Sequence, residues 1–189
     1  MILNYLAVDP GDVHQGVAYF ELDCAFGEGT QTGNWSMIRH WTRDLNRRSL
    51  FKLVEDGSID ALVIEAFRLY PELAREQGYS EFLTSQTIGV LRYIADGREI
   101  PYTIQGGSVK KQARRIGERQ GFPGKIRMLG TGRNRYRGWD FDGPSQHERD
   151  ATAHGVWWGF NHNDSPVKGL HNKGECRLVL PGEVARASR

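Results

Sequence analysis

Apolar residues run almost unbroken over 2–8 (ILNYLAV) and are stopped by Asp9-Pro10-Gly11. Proline pushes the residue before it out of the helical region, so Asp9 is predicted at the extended end of a strand, where the chain turns. A second strand is predicted over 16–22 (GVAYFEL) and a third over 35–41, with the Gly/Thr/Gln/Asn-rich piece 27–34 as the turn between them. The spacing becomes helical over 45–56, where Leu45, Leu50, Leu53 and Val54 share a face. Residues 59–66 (IDALVIEA) are nearly all apolar and end beside Glu65, the pattern of a buried central strand. A long amphipathic helix is expected over 80–96, opening on a capping box at Ser80. A short strand at 102–105, a basic helix at 109–119 and a closing helix at 146–160 follow. The Gly- and Arg-rich stretch 121–143 is expected to be irregular. Three strands followed by alternation predict an α/β layer fold, a mixed central sheet flanked by helices. One domain should fill 1–160, and the pattern fades in a tail over 161–189.

Composition adds little until charge is located. The 189 residues are 39% hydrophobic and 25% charged, with a net charge of +2, which is ordinary for a globular chain. Ten of the basic residues fall between Ser108 and Arg137 against one acid, Glu118, so that stretch carries +9 and the rest of the chain −7. A basic region concentrated on an acidic protein is the footprint of a polyphosphate partner. Arg133, Arg135 and Arg137 interleave with Tyr136 and Trp139, which adds stacking to charge, and Lys110, Lys111, Arg114 and Arg115 lie on the basic helix. The stretch contains no helix-turn-helix or zinc-finger pattern, so readout of DNA shape is expected over readout of a long sequence.

Cys24 and Cys176 lack any metal-ligand spacing, which argues against a disulfide scaffold or zinc site and suits a reducing cytoplasm. The opening MILNYLAVDPG has no basic leader, and no apolar run approaches bilayer length.

Three acids stand out by their surroundings: Asp9 and Glu65 at strand ends, and Asp150 among small residues on the closing helix (RDATAHG). His147 lies three residues before Asp150, on the same helical face. Taken singly, an Asp before Pro-Gly is a turn former, a strand-end Glu pairs with a neighbouring Arg, and a helical His is structural. Taken together, carboxylates that converge on one point repel unless a cation sits among them, and hard oxygen donors suit Mg²⁺ or Mn²⁺.

Four segments carry a family resemblance. YLAVDPGDVHQGVAYFEL resembles the first hairpin of the RuvC group of Holliday junction resolvases, within the RNase H-like superfamily. DALVIEAFRLY is similar to that group's second signature, PYTIQGGSVKK to the turn leading into its basic helix, and HERDATAHGVWW to its closing helix. They occur in family order across most of 3–160. The resemblance implies an RNase H-like fold and a crossover-junction endodeoxyribonuclease that holds two divalent ions on Asp9, Glu65, His147 and Asp150. It implies that Lys110 supports catalysis near the phosphate, that Phe67 or Tyr70 stacks on an unpaired base, and that a homodimer cuts a four-way junction twice. The 80–96 helix is the expected interface.

The long polar loop 67–78 and the Arg/Gly insertion depart from the family pattern, which suits a virus-encoded relative. A broader flap or fork endonuclease and a non-catalytic binder of branched DNA remain open alternatives. Proofreading exonucleases place Asp-x-Glu on the first strand, where this chain has Asp9-Pro10-Gly11, and the two-domain actin and sugar-kinase folds need a longer chain.

Overall fold

A computed structural model of the chain describes residues 2–26, 33–67, 74–130 and 132–161. Strands β1 (Ile2–Pro10), β2 (Gln15–Phe26) and β3 (Gly33–Leu45) form an antiparallel meander. Helix α1 (Arg47–Asp56) leads to β4 (Ala61–Glu65), and α2 (Ala74–Gly97) to β5 (Tyr102–Gln105). Both of these strands run parallel to β1, giving a mixed five-stranded sheet in the order β3-β2-β1-β4-β5. Helix α3 (Lys110–Arg119), a hairpin of β6 (Gly124–Leu129) and β7 (Tyr136–Phe141), and helix α4 (Gln146–Asn161) complete the described chain.

Period-two alternation divides the sheet into two cores. Tyr5, Ala7, Phe20 and Val63 face α3 and α4, where Ile116, Ala153, Val156 and Trp158 cover them. Leu6, Val8, Leu62 and Ile64 face the other way, onto Leu50 and Val54 of α1 and Leu91 and Ile94 of α2. Because β1 and β4 are covered on both faces, their near-continuous apolar runs are required by the layering.

The expected α/β architecture is present, with three local corrections. Leu45 ends β3, and α1 starts later because the Asn46 side chain caps it, accepting from Ser49 N at 2.9 Å. Helix α2 begins at Ala74, so Ser80 lies inside it and is not its cap. The stretch 121–143, expected to be irregular, holds the β6–β7 hairpin. Its alternation (Lys125, Ile126, Arg127, Met128) is hard to read because Ile126 and Met128 are both 55% exposed, so hydrophobicity does not mark the buried side.

A glycine turns the chain from α3 into that hairpin. Gly121 sits at φ +72°, its N–H reaches Glu118 O, and Phe122 N–H reaches Gly117 O at 2.9 Å, the paired bonds of a left-handed helix stop. Of the expected tail over 161–189, residue 161 ends α4 and the rest lies outside the described residues. Among the described residues no helix is long and apolar enough to cross a membrane.

Helix α4 crosses β2 so closely that a Cβ on Gly16 would stand 2.1 Å from the His147 backbone. Gly16→Ala is therefore expected to lose about 1–3 kcal/mol of unfolding free energy by forcing α4 off the sheet. Gly89→Ala, at an exposed α2 position with nothing within 4 Å of the added carbon, should gain about 0.5–1 kcal/mol. Urea titrations of the two variants beside the parent chain would check both signs.

Candidate metal centre

Strand parity determines where the acids point. Asp9 lies two residues beyond Ala7 and Glu65 two beyond Val63, so both carboxylates emerge on the face covered by α4. The parallel register aligns Val8 with Ile64, which brings the two strand ends side by side. Helix α4 supplies Asp150 above them. Oxygens of Asp9, Glu65 and Asp150 lie within 4.8 Å of one another, the first and last of these residues buried and Glu65 half-buried. Three oxygen donors this close suit one hard divalent cation.

The positive charge next to this cluster is the Lys110 ammonium at the start of α3. Its Nζ stands 2.8 Å from Glu65 Oε1 and 2.9 Å from Asp150 Oδ2. Arg114, one turn on, donates from its terminal nitrogen to Asp150 Oδ1 at 2.8 Å and from Nε to Asp140 Oδ1 at 2.6 Å. Asp140 on β7 is 1% exposed and also accepts from Arg149 Nε at 2.9 Å. This buried carboxylate thus ties α3, α4 and the hairpin together at the edge of the cluster.

Two histidines flank the acids. His147 Nδ1 lies 2.9 Å from Asp9 Oδ2, with its side chain 46% exposed. His154 is fully buried, with Nε2 3.1 Å from Glu65 Oε2 and Nδ1 2.9 Å from Gln105 Oε1. Gln105 pairs with Glu65 across the β4–β5 ladder and so faces the same side.

These surroundings push the two strand-end carboxylates in opposite directions. Burial raises Asp9 to about 6, against a lowering by the His147 hydrogen bond and with a further rise from the Glu65 charge. Burial would raise Glu65 too, but contacts with His154 and Lys110 outweigh it and bring Glu65 down to about 2. Burial works against the Lys110 charge, yet the neighbouring carboxylates, Asp150 foremost, hold it above the ordinary lysine range. The Asp9 hydrogen bond raises His147.

Of the residues expected from sequence, Asp9, Glu65, Asp150 and Lys110 converge here. His147 stands beside Asp9 as a hydrogen-bond partner and is not one of the three clustered donors. Arg114 is drawn into the ion-pair network, while Lys111 and Arg115 are exposed on α3. Arg133, Arg135 and Arg137 are exposed on the hairpin turn and β7. Phe67 is half-buried just past β4, and Tyr70 lies outside the described residues. A cleft of about 360 Å³, lined by Lys110, Arg114, Gln146, Arg149 and Asp150 with hairpin residues, opens on the Asp150 side of the cluster.

Sequence reasoning missed His154, Gln105, Asp140 and Arg149. His154 follows Asp150 by one turn, so the same-face logic that selects His147 also selects it. Gln105 ends its strand as Glu65 ends β4. Asp140 carried no signal, because its hairpin was not recognised.

No protein-family profile matches the chain, and no curated protein matches it. Solved structures do. Thermus thermophilus RuvC in complex with a Holliday junction substrate aligns with a TM-score of 0.51 at 13% identity, covering 89% of this chain and 97% of that one. A second Thermus thermophilus RuvC structure gives 0.52 at 13% identity, covering 92% and 98%. The chain therefore has the RuvC-like form of the RNase H-like fold. A viral source draws no support from these matches.

The opposed carboxylates give a test of sign in EDTA. Glu65 is depressed, so its contribution is present above about pH 4.5 and lost as pH falls towards 2. Asp9 is raised, so its contribution is present below about pH 3.8 and lost as pH rises through 6. Melting curves should show the parent chain gaining on Glu65→Gln between pH 2 and 4.5. Asp9→Asn should gain on the parent between pH 4 and 6. Removing Lys110 leaves the three acids without their cation, so Lys110→Met should melt lower in EDTA and gain more from millimolar Mg²⁺ or Mn²⁺ than the parent does. Equal metal-induced shifts in both proteins would show that the ion does not enter this cluster.

Proposed function

We propose that the protein is a metal-dependent DNA endonuclease that resolves four-way junctions by phosphodiester hydrolysis. The observation that carries this reading is the convergence of Asp9, Glu65 and Asp150 within 4.8 Å, with Lys110 beside them, at the strand ends of a RuvC-like fold. A solved structure of that fold, Thermus thermophilus RuvC, is a complex with a Holliday junction substrate.

The carboxylates of Asp9, Glu65 and Asp150, with the His147 imidazole at the rim, would hold the ions. Mg²⁺ or Mn²⁺, two ions per site, would supply water activation and neutralise charge on the departing oxygen. Around them the chain's own residues orient the donors. His154 and Gln105 fix the Glu65 carboxylate from beneath, His147 holds Asp9, and Arg114 holds one oxygen of Asp150. Lys110, kept charged by its neighbours, offsets negative charge at a phosphate bound over the cluster. Exposed Lys111, Arg115, Arg133, Arg135 and Arg137 flank this site and suit phosphate contacts, which would make binding strongly salt-dependent. Phe67, half-buried just past Glu65, suits a base-stacking role.

Symmetric cutting of a junction calls for a twofold dimer. Helix α2 is the candidate interface, with Tyr93 80% exposed and Val90 38% exposed on its outer side. A second reading has one observation in its favour. Lys110 and Arg114 already neutralise Glu65 and Asp150, as they would in a nuclease fold retained only to bind branched DNA.

A labelled four-way junction, a splayed fork and a linear duplex, each with Mg²⁺, Mn²⁺ or EDTA, separate these readings. Paired nicks confined to the junction are expected, abolished by EDTA and reduced at least about 100-fold in Glu65→Gln, the scale of losing a group that stabilises the transition state. Equal cutting of the fork would make the protein a broader branched-DNA endonuclease. Tight junction binding without cutting in either metal would leave only the binding role.

A further inference from the structure

A second hollow lies beside the cleft at Asp150. It is bounded by α3 on one side and the β6–β7 hairpin on the other, measures about 310 Å³, and shares Arg114 and Leu129 with the catalytic cleft. That size is at the small end of ligand pockets, roughly 300–1,000 Å³, and far too small for a helix or duplex. The walls differ in chemistry. Helix α3 contributes the cations of Lys111 and Arg115 and, one turn beyond them, the carboxylate of Glu118. The hairpin contributes Tyr136, 41% exposed, and Trp139, whose indole packs at Gly117 and Gly124.

Gly138 lies between the aromatics, where a Cβ would come within 2.9 Å of the Tyr136 ring and 3.2 Å of Leu129. Any larger residue there would press on Tyr136 and narrow the hollow. Arg114 is not available to a ligand, since Asp140 and Asp150 hold it at 2.6 and 2.8 Å. It forms a fixed partition between the two spaces.

We propose that this hollow receives one unpaired nucleotide of the bound DNA strand, next to the scissile phosphate. The inference rests on the nuclease reading of the adjacent cluster. The base stacks on Tyr136, and its phosphate faces Lys111 and Arg115. Glu118 repels phosphate but accepts N–H groups, so the amino-bearing edge of the base belongs at that end. A paired base is held in a duplex that a hollow of this size does not admit, so the hollow selects DNA that is already open near the cut. That gives a structural preference without reading a long sequence.

The test uses the full chain in EDTA, where binding is seen without cleavage, with four-way junctions carrying a single 2-aminopurine at successive positions through the crossover, any cut being mapped separately with Mg²⁺. Fluorescence should change at one position adjacent to the cut. Tyr136→Leu should abolish that change and weaken binding about tenfold, within the range expected for one lost base–aromatic stack. Tyr136→Phe should keep it, and Gly138→Val should abolish it with no charge removed. Melting curves identify a variant that has simply failed to fold, in which case the Tyr136 pair decides. Junctions bound and cut with no responsive position would overturn the proposal and leave the nuclease reading intact. So would a response that survives both Tyr136→Leu and Gly138→Val. A chain that neither binds nor cuts the junction would sink both readings, whereas a localised response without cutting would support the hollow and count only against catalysis.

Discussion

Like charges brought together in a place with little water must be neutralised, and much of this molecule's chemistry follows from that. Strand parity and the parallel β1–β4 register leave Asp9 and Glu65 no other direction to point, and α4 adds Asp150 above them. Three carboxylates within 4.8 Å cannot all remain charged without a cation. Lys110 supplies one positive charge from α3, which together with His154 accounts for the strongly depressed Glu65. Asp9 receives less: the partly exposed His147 and the more remote Lys110 charge do not outweigh its burial and the Glu65 charge, and so it stays raised. The site is under-neutralised on the Asp9 side, the electrostatic condition under which a divalent ion gains most by entering.

The arginines extend the same logic outward. Asp140 is too buried to stand alone, and it is shared by Arg114 and Arg149 from two different helices. Breaking a buried network of this kind by removing one partner costs about 3–5 kcal/mol, because the remaining charges are left unpaired. The arrangement therefore holds the hairpin, α3 and α4 in one relative position. It also leaves Arg114 committed on both sides, so that the exposed positive charges are those further out on α3, the hairpin turn and β7.

Much of this was legible in the chain itself, for identifiable reasons. Residues on β1 and β4 announce themselves because full burial demands continuous apolar runs, and a carboxylate that ends such a run is conspicuous. Asp150 could be found because small residues surround it, and Lys110 through the resemblance of its segment. The hairpin escaped because its exposed strand face carries Ile126 and Met128 where polar residues would have shown the alternation. With it went Asp140, whose significance lies wholly in two arginines distant in sequence. His154 was within reach of the one-turn spacing from Asp150, but its partner Glu65 lies on another element, and their meeting depends on the tertiary fold.

The hairpin's attachment has a consequence for how such a protein can change. β6 and β7 pair only with each other, and among the described residues no ladder joins them to the five-stranded sheet. What anchors them is side chains: Asp140 between its arginines, and Trp139 and Phe141 against Gly117 of α3. Lengthening or rewriting the tip between the two strands would shift no register in the central sheet and displace none of the acids. The tip of the hairpin is thus free to change in length and sequence, while Asp140 and the acidic cluster keep their places at its base.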